Sequence, residues 1–144
     1  MQGTHFFPLS EEQTKEIQRQ RQVVEALIAS GKTPDTYPKF VDGLFKEMDT
    51  PILSLVHVGM GMGGEGGEAC DIIKKTWAYG RELDQMKLLK EIGDYMFYAQ
   101  KALNMMGLTF DDVMYLNTFK LTERYHEGVY SDAQANARVD TKAE

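Results

Sequence analysis

The chain holds a single cysteine, Cys70, so it can close no disulfide within itself and assemble no thiolate zinc cage, a composition that suits a reducing cytosol. It has no apolar run near the roughly 18 residues of a membrane span, and its start, Met1-Gln2-Gly3-Thr4-His5-Phe6-Phe7, lacks the basic opening and apolar core of a signal peptide. The expectation is a cytoplasmic protein with no membrane attachment. Positive charge is in deficit: 16 Lys and Arg stand against 22 Asp and Glu, a net charge of −6, and the cations are scattered, which argues against nucleic acid as a partner. No segment alternates apolar and polar residues in the manner of a strand, and there is no internal repeat. The glycine-rich run at 59–67 is followed by Glu68-Ala69-Cys70 where a phosphate-cradling loop needs Gly-Lys-Ser/Thr. Glu-x-x-His occurs only at Glu123-Arg124-Tyr125-His126, so a di-iron bundle, which wants it on two helices, is excluded.

What is present reads as helix. Ser10 with Gln13 is a capping box for a first helix over about 11–29, whose Ile17, Val24, Leu27 and Ile28 recur at helical spacing. After a linker at 32–36, Phe40, Leu44, Phe45 and Met48 sketch a short second helix closed by Asp49. Thr50-Pro51 restarts the chain, and apolar positions from Ile52 to Trp77 continue to Gly80. A long helix over about 84–106, with Met86, Leu88, Leu89, Ile92, Met96, Phe97, Leu103 and Met106 as its buried side, ends at Gly107. Thr109 to Asp112 caps a last helix, and the polar tail from Glu127 reads as extended. The expectation is an all-α bundle of four to five helices forming one domain over 1–144, with its core at about 52–125. The apolar positions at 52–62 and 86–106 exceed what one small bundle can cover, which predicts a homodimer or a dimer of dimers.

Acids sit inside the two most apolar stretches. At about 100° per residue, Glu65 and Glu68 share one helix face, as do Glu91 and Asp94, so each pair can reach one point. Acids in such a setting are protonated, paired with Lys or Arg, or holding a cation, and four carboxylates from two helices suit hard Mg²⁺ or Mn²⁺ better than zinc. The plain alternative, solvated helix faces, remains open on spacing alone. Gly59, Gly61, Gly63, Gly64, Gly66 and Gly67 crowd the first pair; either they form a loop, or the helix runs through and Gly61 and Gly64 open a groove beside the acids.

Lys75 falls near Glu68 on the helical wheel, whereas Lys74 points away, and Asn117, Lys120 and Arg124 make one stripe on the last helix. Such residues grip phosphates or simply line an exposed face. Tyr98 shares the face of Glu91 and Asp94 and either stacks on a base or packs in the core; His57 either touches a ligand or is a satisfied core histidine. Cys70 reads as a small buried residue.

In order, Gly59-Met60-Gly61-Met62-Gly63-Gly64-Glu65-Gly66-Gly67-Glu68, then Glu91-Ile92-Gly93-Asp94-Tyr95-Met96-Phe97-Tyr98, then Asn117-Thr118-Phe119-Lys120-Leu121-Thr122-Glu123-Arg124-Tyr125 resemble the ExxE, ExxD and Asn-x-x-Lys-x-x-x-Arg-Tyr motifs of MazG-like nucleoside triphosphate pyrophosphohydrolases, over residues 52 to about 130. The lead-in containing His57 and the turn His126-Glu127-Gly128 are similar to compact bacterial and bacteriophage members. The resemblance implies an all-α dimer or tetramer that hydrolyses a (deoxy)nucleoside triphosphate to the monophosphate and pyrophosphate. It implies Glu65, Glu68, Glu91 and Asp94 as catalytic ligands of two to three Mg²⁺ or Mn²⁺, with Lys75, Asn117, Lys120 and Arg124 on the phosphates. Gly64, Gly66 and Gly67 stand where relatives often carry Ala or Ser, and the open wall they leave suggests a purine, dGTP or GTP, in phage nucleotide metabolism, with a house-cleaning role against aberrant nucleotides equally open. Residues 1–50 carry no transferable motif. A helical oligomer that binds nucleotides or a protein partner without catalysis is the alternative.

Overall fold

The computed structural model describes residues 7–141, so the expectation that concerns Met1–Phe6 lies outside the described residues. All regular structure among the described residues is helical: α1 Glu11–Ala29, α2 Tyr37–Leu44, α3 Pro51–Tyr79, α4 Gln85–Met106, α5 Phe110–Arg124, α6 Asp132–Ala137, and a 3₁₀ turn at Val139–Thr141. The all-α expectation holds, with six α-helices rather than four to five. The chain forms two compact units, residues 1–102 and 103–144.

In the first unit the helix ends follow local chemistry. The Ser10 hydroxyl accepts from the Gln13 N–H while the Gln13 side chain accepts from the Ser10 N–H, closing a reciprocal cap on α1. The Gln85 amide donates to the carbonyls of Phe7 and Pro8 at 3.0 and 3.2 Å, tying the entry of α1 to the start of α4. Helix α2 stops at Leu44, short of the expected Asp49, because Phe45 leaves helical geometry with ψ 130. Thr50 caps α3 from its hydroxyl, Pro51 fills the first turn, and Gly80 at φ 63 ends it in the left-handed conformation that glycine adopts without strain. The glycines of 59–67 therefore lie inside one continuous helix and not in a loop.

The apolar core of this unit is small: Val41, Phe45, Val58 and Ile72 are buried. Beside it lies a polar knot. The ammonium of Lys101 on α4, a side chain only 6% exposed, donates to Asp42 on α2 and to Glu47 in the following loop, and lies 5.0 Å from the Phe45 ring centroid. The buried Ser54 hydroxyl donates to Glu47 at 3.0 Å and accepts from the Met48 N–H at 2.9 Å. Lys101 thereby ties the α2–α3 connection to α4, and Ser54 ties it to α3. Sequence periodicity had placed Met86, Leu88, Leu89, Ile92, Met96 and Phe97 on the buried side of α4, yet none of them is buried in a single chain, and the buried residues of that helix in this unit are Glu91, Gln100 and Lys101. Ile17, Val24 and Leu27 of α1 are exposed too.

In the second unit Leu103 is buried, Gly107 at φ 69 closes α4, and Thr109 with Asp112 forms the capping box of α5. No residue of α5 is buried. The tail is not extended: Ser131 accepts from the Gln134 N–H, Asp132 occupies the first turn, and Ala133, Ala135 and Ala137 sustain the short helix α6.

Candidate functional site

Helices α3 and α4 bring three acids together. Glu65, Glu91 and Asp94 each offer a carboxylate oxygen within 4.8 Å of the others'. The i, i+3 spacing of Glu91 and Asp94 turns both toward α3, as their shared face predicted. Glu91 is only 8% exposed, and among the described residues no hydrogen bond or ion pair reaches it. Asp94 is exposed and Glu65 half-buried, so the cluster opens to solvent on one side. Burial raises the Glu65 carboxyl above the usual glutamate range, and the neighbouring charges of Asp94, Glu68 and Glu91 push the same way.

Glu68 does not join the three. It is exposed, and its position three residues on carries it about 4.5 Å farther along the helix axis. Its charge still reaches Glu65.

A cleft of about 360 Å³ adjoins the acids, lined by Glu65, Asp94, Phe40, Leu44, Phe97 and Tyr98, a size within the about 300–1,000 Å³ of small-ligand sites. It has an acidic wall and an aromatic wall. Tyr98 is held edge-on by Phe97 at 5.5 Å and by His57 at 5.9 Å, and the ring lies against the backbone of Gly61. A methyl group at 61 would sit 2.5 Å from Tyr98 Cζ and closer still to Cδ1 and Cε1, so the groove foreseen at this glycine is filled by a ring of the same chain. His57 packs tilted against Phe45 at 4.7 Å with Nδ1 3.3 Å from the Lys46 carbonyl, which makes it a satisfied support for Tyr98. Phe40 and Leu44 come from the region in which no motif was read. Only the position of α2 against α3 and α4 brings them to the acids, and the apolar spacing within α2 was their one signal.

On α3, Lys75 stands away from the three acids. Lys75 pairs with Asp71 at 2.6 Å, and Lys74, which the wheel had turned away, pairs with the same carboxylate, holding the Asp71 carboxyl down near 2. Ten residues of helix separate Lys75 from Glu65, roughly 15 Å, and it lines instead a polar cleft of about 310 Å³ with Arg81, Glu82, Asp84 and Lys87. Cys70 is exposed rather than buried. In the second unit Asn117 and Lys120 are exposed on α5, while the Arg124 guanidinium is taken up by Asp140, Nε to Oδ1 at 2.7 Å and Nη2 to Oδ2 at 2.6 Å. Another cleft, about 430 Å³ between α1, the 33–36 linker and α2, is mostly apolar, with Thr33, Thr36 and Asp35 at its linker side and the Asp35 carboxylate paired with Lys39.

Three carboxylates at this spacing are within a small side-chain adjustment of an octahedral oxygen site, whose ligand oxygens stand about 3 to 4 Å apart at metal–oxygen distances near 2.1 Å. Compared with models of protein families, with curated proteins and with solved structures, the chain matches none.

Proposed function

We propose that the chain is a metal-dependent (deoxy)nucleoside triphosphate pyrophosphohydrolase that uses Mg²⁺ or Mn²⁺ held by Glu65, Glu91 and Asp94. The observation that carries this reading is the meeting of Glu91, a residue only 8% exposed, with Glu65 and Asp94, each offering a carboxylate oxygen within 4.8 Å of the others'. Carboxylates this close repel one another when ionised, and a bound cation relieves that repulsion. The ordered resemblance of residues 52 to about 130 to the MazG-like motifs supports the same reading.

When bound, the metal would polarise phosphate oxygens and acidify a water. The residues supply the rest. Tyr98, Phe97 and Phe40 offer flat apolar faces on which a base stacks, and Gly61 with His57 fixes the Tyr98 ring. Glu65, half-buried where α3 borders the cleft, would orient the attacking water and take its proton. The water oxygen bonds to the α-phosphorus, the bridging bond to the β-phosphate breaks, and monophosphate and pyrophosphate leave. Glu68 acts on the cluster through its charge, and the phosphate-gripping role of Lys75, Asn117, Lys120 and Arg124 is what the resemblance implies. The resemblance, with Gly64, Gly66 and Gly67 where relatives often carry Ala or Ser, favours a purine, dGTP or GTP, and a role in phage nucleotide metabolism within the bacterial cytoplasm.

The assembly is proposed to be a homodimer or a dimer of dimers. Helices α1 and α5 bury nothing by themselves, and Trp77 and Phe119 remain 86% and 66% exposed, which is far beyond the isolated apolar residues of an ordinary monomer surface. The test of function is product analysis on a panel of NTPs and dNTPs with Mg²⁺, with Mn²⁺ and with EDTA. Metal-dependent release of monophosphate and pyrophosphate is expected, fastest with guanine nucleotides. No cleavage under any metal would overturn the enzymatic reading, and a pyrimidine preference would overturn the choice of base.

A further inference from the structure

Within the second unit, α6 and the 3₁₀ turn pack on α5, and one ion pair fastens them there. Asp140 presents both carboxylate oxygens to Arg124, its side chain is fully buried, and that of Arg124 is 18% exposed. Lys120, one turn earlier on α5, lies near enough for its charge to act on the same carboxylate. Two local features of this segment cost energy. Gln134 Oε1 is buried without a hydrogen-bond partner, and Arg138, which links α6 to the 3₁₀ turn, sits at φ 45, a conformation that costs a non-glycine residue energy.

We infer that residues 131–141 are a latch in which the Asp140 carboxylate occupies an oxyanion site formed by Arg124 and Lys120, so that a phosphate-bearing ligand and the C-terminal segment compete for the same guanidinium. The chemistry is that of the bound group. The fork of an arginine that takes two carboxylate oxygens takes two oxygens of a phosphate equally well, and pyrophosphate brings more charge than one aspartate. Releasing Asp140 leaves it buried and unpaired unless the segment lifts away, so ligand binding and opening of the latch are coupled. The segment thereby acts as an internal inhibitor of the α5 stripe. This inference rests on the proposed function only in assigning oxyanions to that stripe.

The test uses the full chain in EDTA with inorganic pyrophosphate, so that neither the acid cluster nor turnover contributes. Hydrogen exchange is followed at the amides of 132–137, and affinity by calorimetry. Pyrophosphate is expected to speed exchange of these amides in the wild type by at least tenfold. Asp140→Asn is expected to bind pyrophosphate at least tenfold more tightly than the wild type and to exchange fast without it, and Asp140→Asn combined with Arg124→Gln to lose the binding. A chain ending at Arg138 serves should the point variant misfold, with the same expectation. Equal affinity in wild type and variant, no binding in either, or unchanged exchange in the wild type while pyrophosphate is bound would overturn the latch. A failure of hydrolysis with the latch behaviour intact would instead count against the acid cluster alone.

Discussion

Replacing Gly61 by alanine sets two known effects against each other. Inside a helix, Gly→Ala stabilises by roughly 1 kcal/mol through the unfolded chain. At Gly61 the added methyl would stand 2.5 Å from Tyr98 Cζ, roughly 1 Å inside the 3.5–4.0 Å of an ordinary carbon contact. Tyr98 cannot simply retreat, because Phe97 and His57 flank it and His57 is itself packed against Phe45. Overpacking of this kind costs about 1–3 kcal/mol. Gly59 and Gly63, on the same helix, have nothing within 4 Å of the position a methyl would take. Gly61→Ala is therefore expected to be less stable than Gly63→Ala by about 1–3 kcal/mol, with Gly59→Ala and Gly63→Ala at or above the wild type. Urea unfolding followed by circular dichroism at one fixed protein concentration reads the difference. Terbium luminescence sensitised by tyrosine adds a second reading, since Tyr98 shares a cleft with Glu65 and Asp94 and should sensitise the ion less once displaced. Gly61→Ala as stable as Gly63→Ala, with undiminished sensitised emission, would refute the placement of Tyr98 on Gly61.

Other consequences are as direct. Lys101→Met removes charge-assisted hydrogen bonds from a buried ammonium, but Asp42 and Glu47 are exposed enough to resolvate, so a loss of roughly 1–3 kcal/mol is expected in urea unfolding; no loss would contradict its role as a clamp. Glu65 holds its proton more tightly folded than unfolded, so the folded state binds more protons above the ordinary value of 4.5, and metal-free stability should fall as pH rises through that window. Glu65→Gln should remove this fall, which a pH series of melting temperatures checks. Asp71 has the opposite sign: held near 2 by Lys74 and Lys75, it contributes stability that is present above about 3.8 and lost as pH falls toward 2, a loss that Asp71→Asn should blunt. Sedimentation of the wild type should show a dimer or tetramer at micromolar concentration, and Phe119→Asp should shift it toward smaller species; a wild-type monomer would contradict the proposed assembly.

The parts legible in the sequence are those written in local chemistry. The Ser10–Gln13 and Thr109–Asp112 boxes, Thr50-Pro51, and the stops at Gly80 and Gly107 placed four helices within a residue or so of where they lie. Helix α6 was missed because Asp132-Ala133-Gln134-Ala135-Asn136-Ala137 has no apolar period, and a cap plus three alanines suffices. Shared helix faces pointed to Glu65, Glu91 and Asp94, which do meet, and equally to Glu68, which does not join them. The wheel gives direction and not height along the axis, and the neighbouring helix decides which acids meet. Lys101 and Asp140 illustrate a second limit. A buried lysine and a buried aspartate look like surface residues until partners 59, 54 and 16 positions away are brought to them. The wheel likewise gave no hint that Arg124, on the expected phosphate stripe, already holds a carboxylate.

The central claim is that the three carboxylates form a cation site, and Mn²⁺ titration followed by electron paramagnetic resonance tests it most directly. The wild type should remove free Mn²⁺ from solution stoichiometrically, in competition with Mg²⁺, and Glu91→Gln should lose that binding while keeping its helical circular dichroism. A wild type that leaves Mn²⁺ free at millimolar concentration, or a Glu91→Gln variant that binds it equally well, would contradict the account.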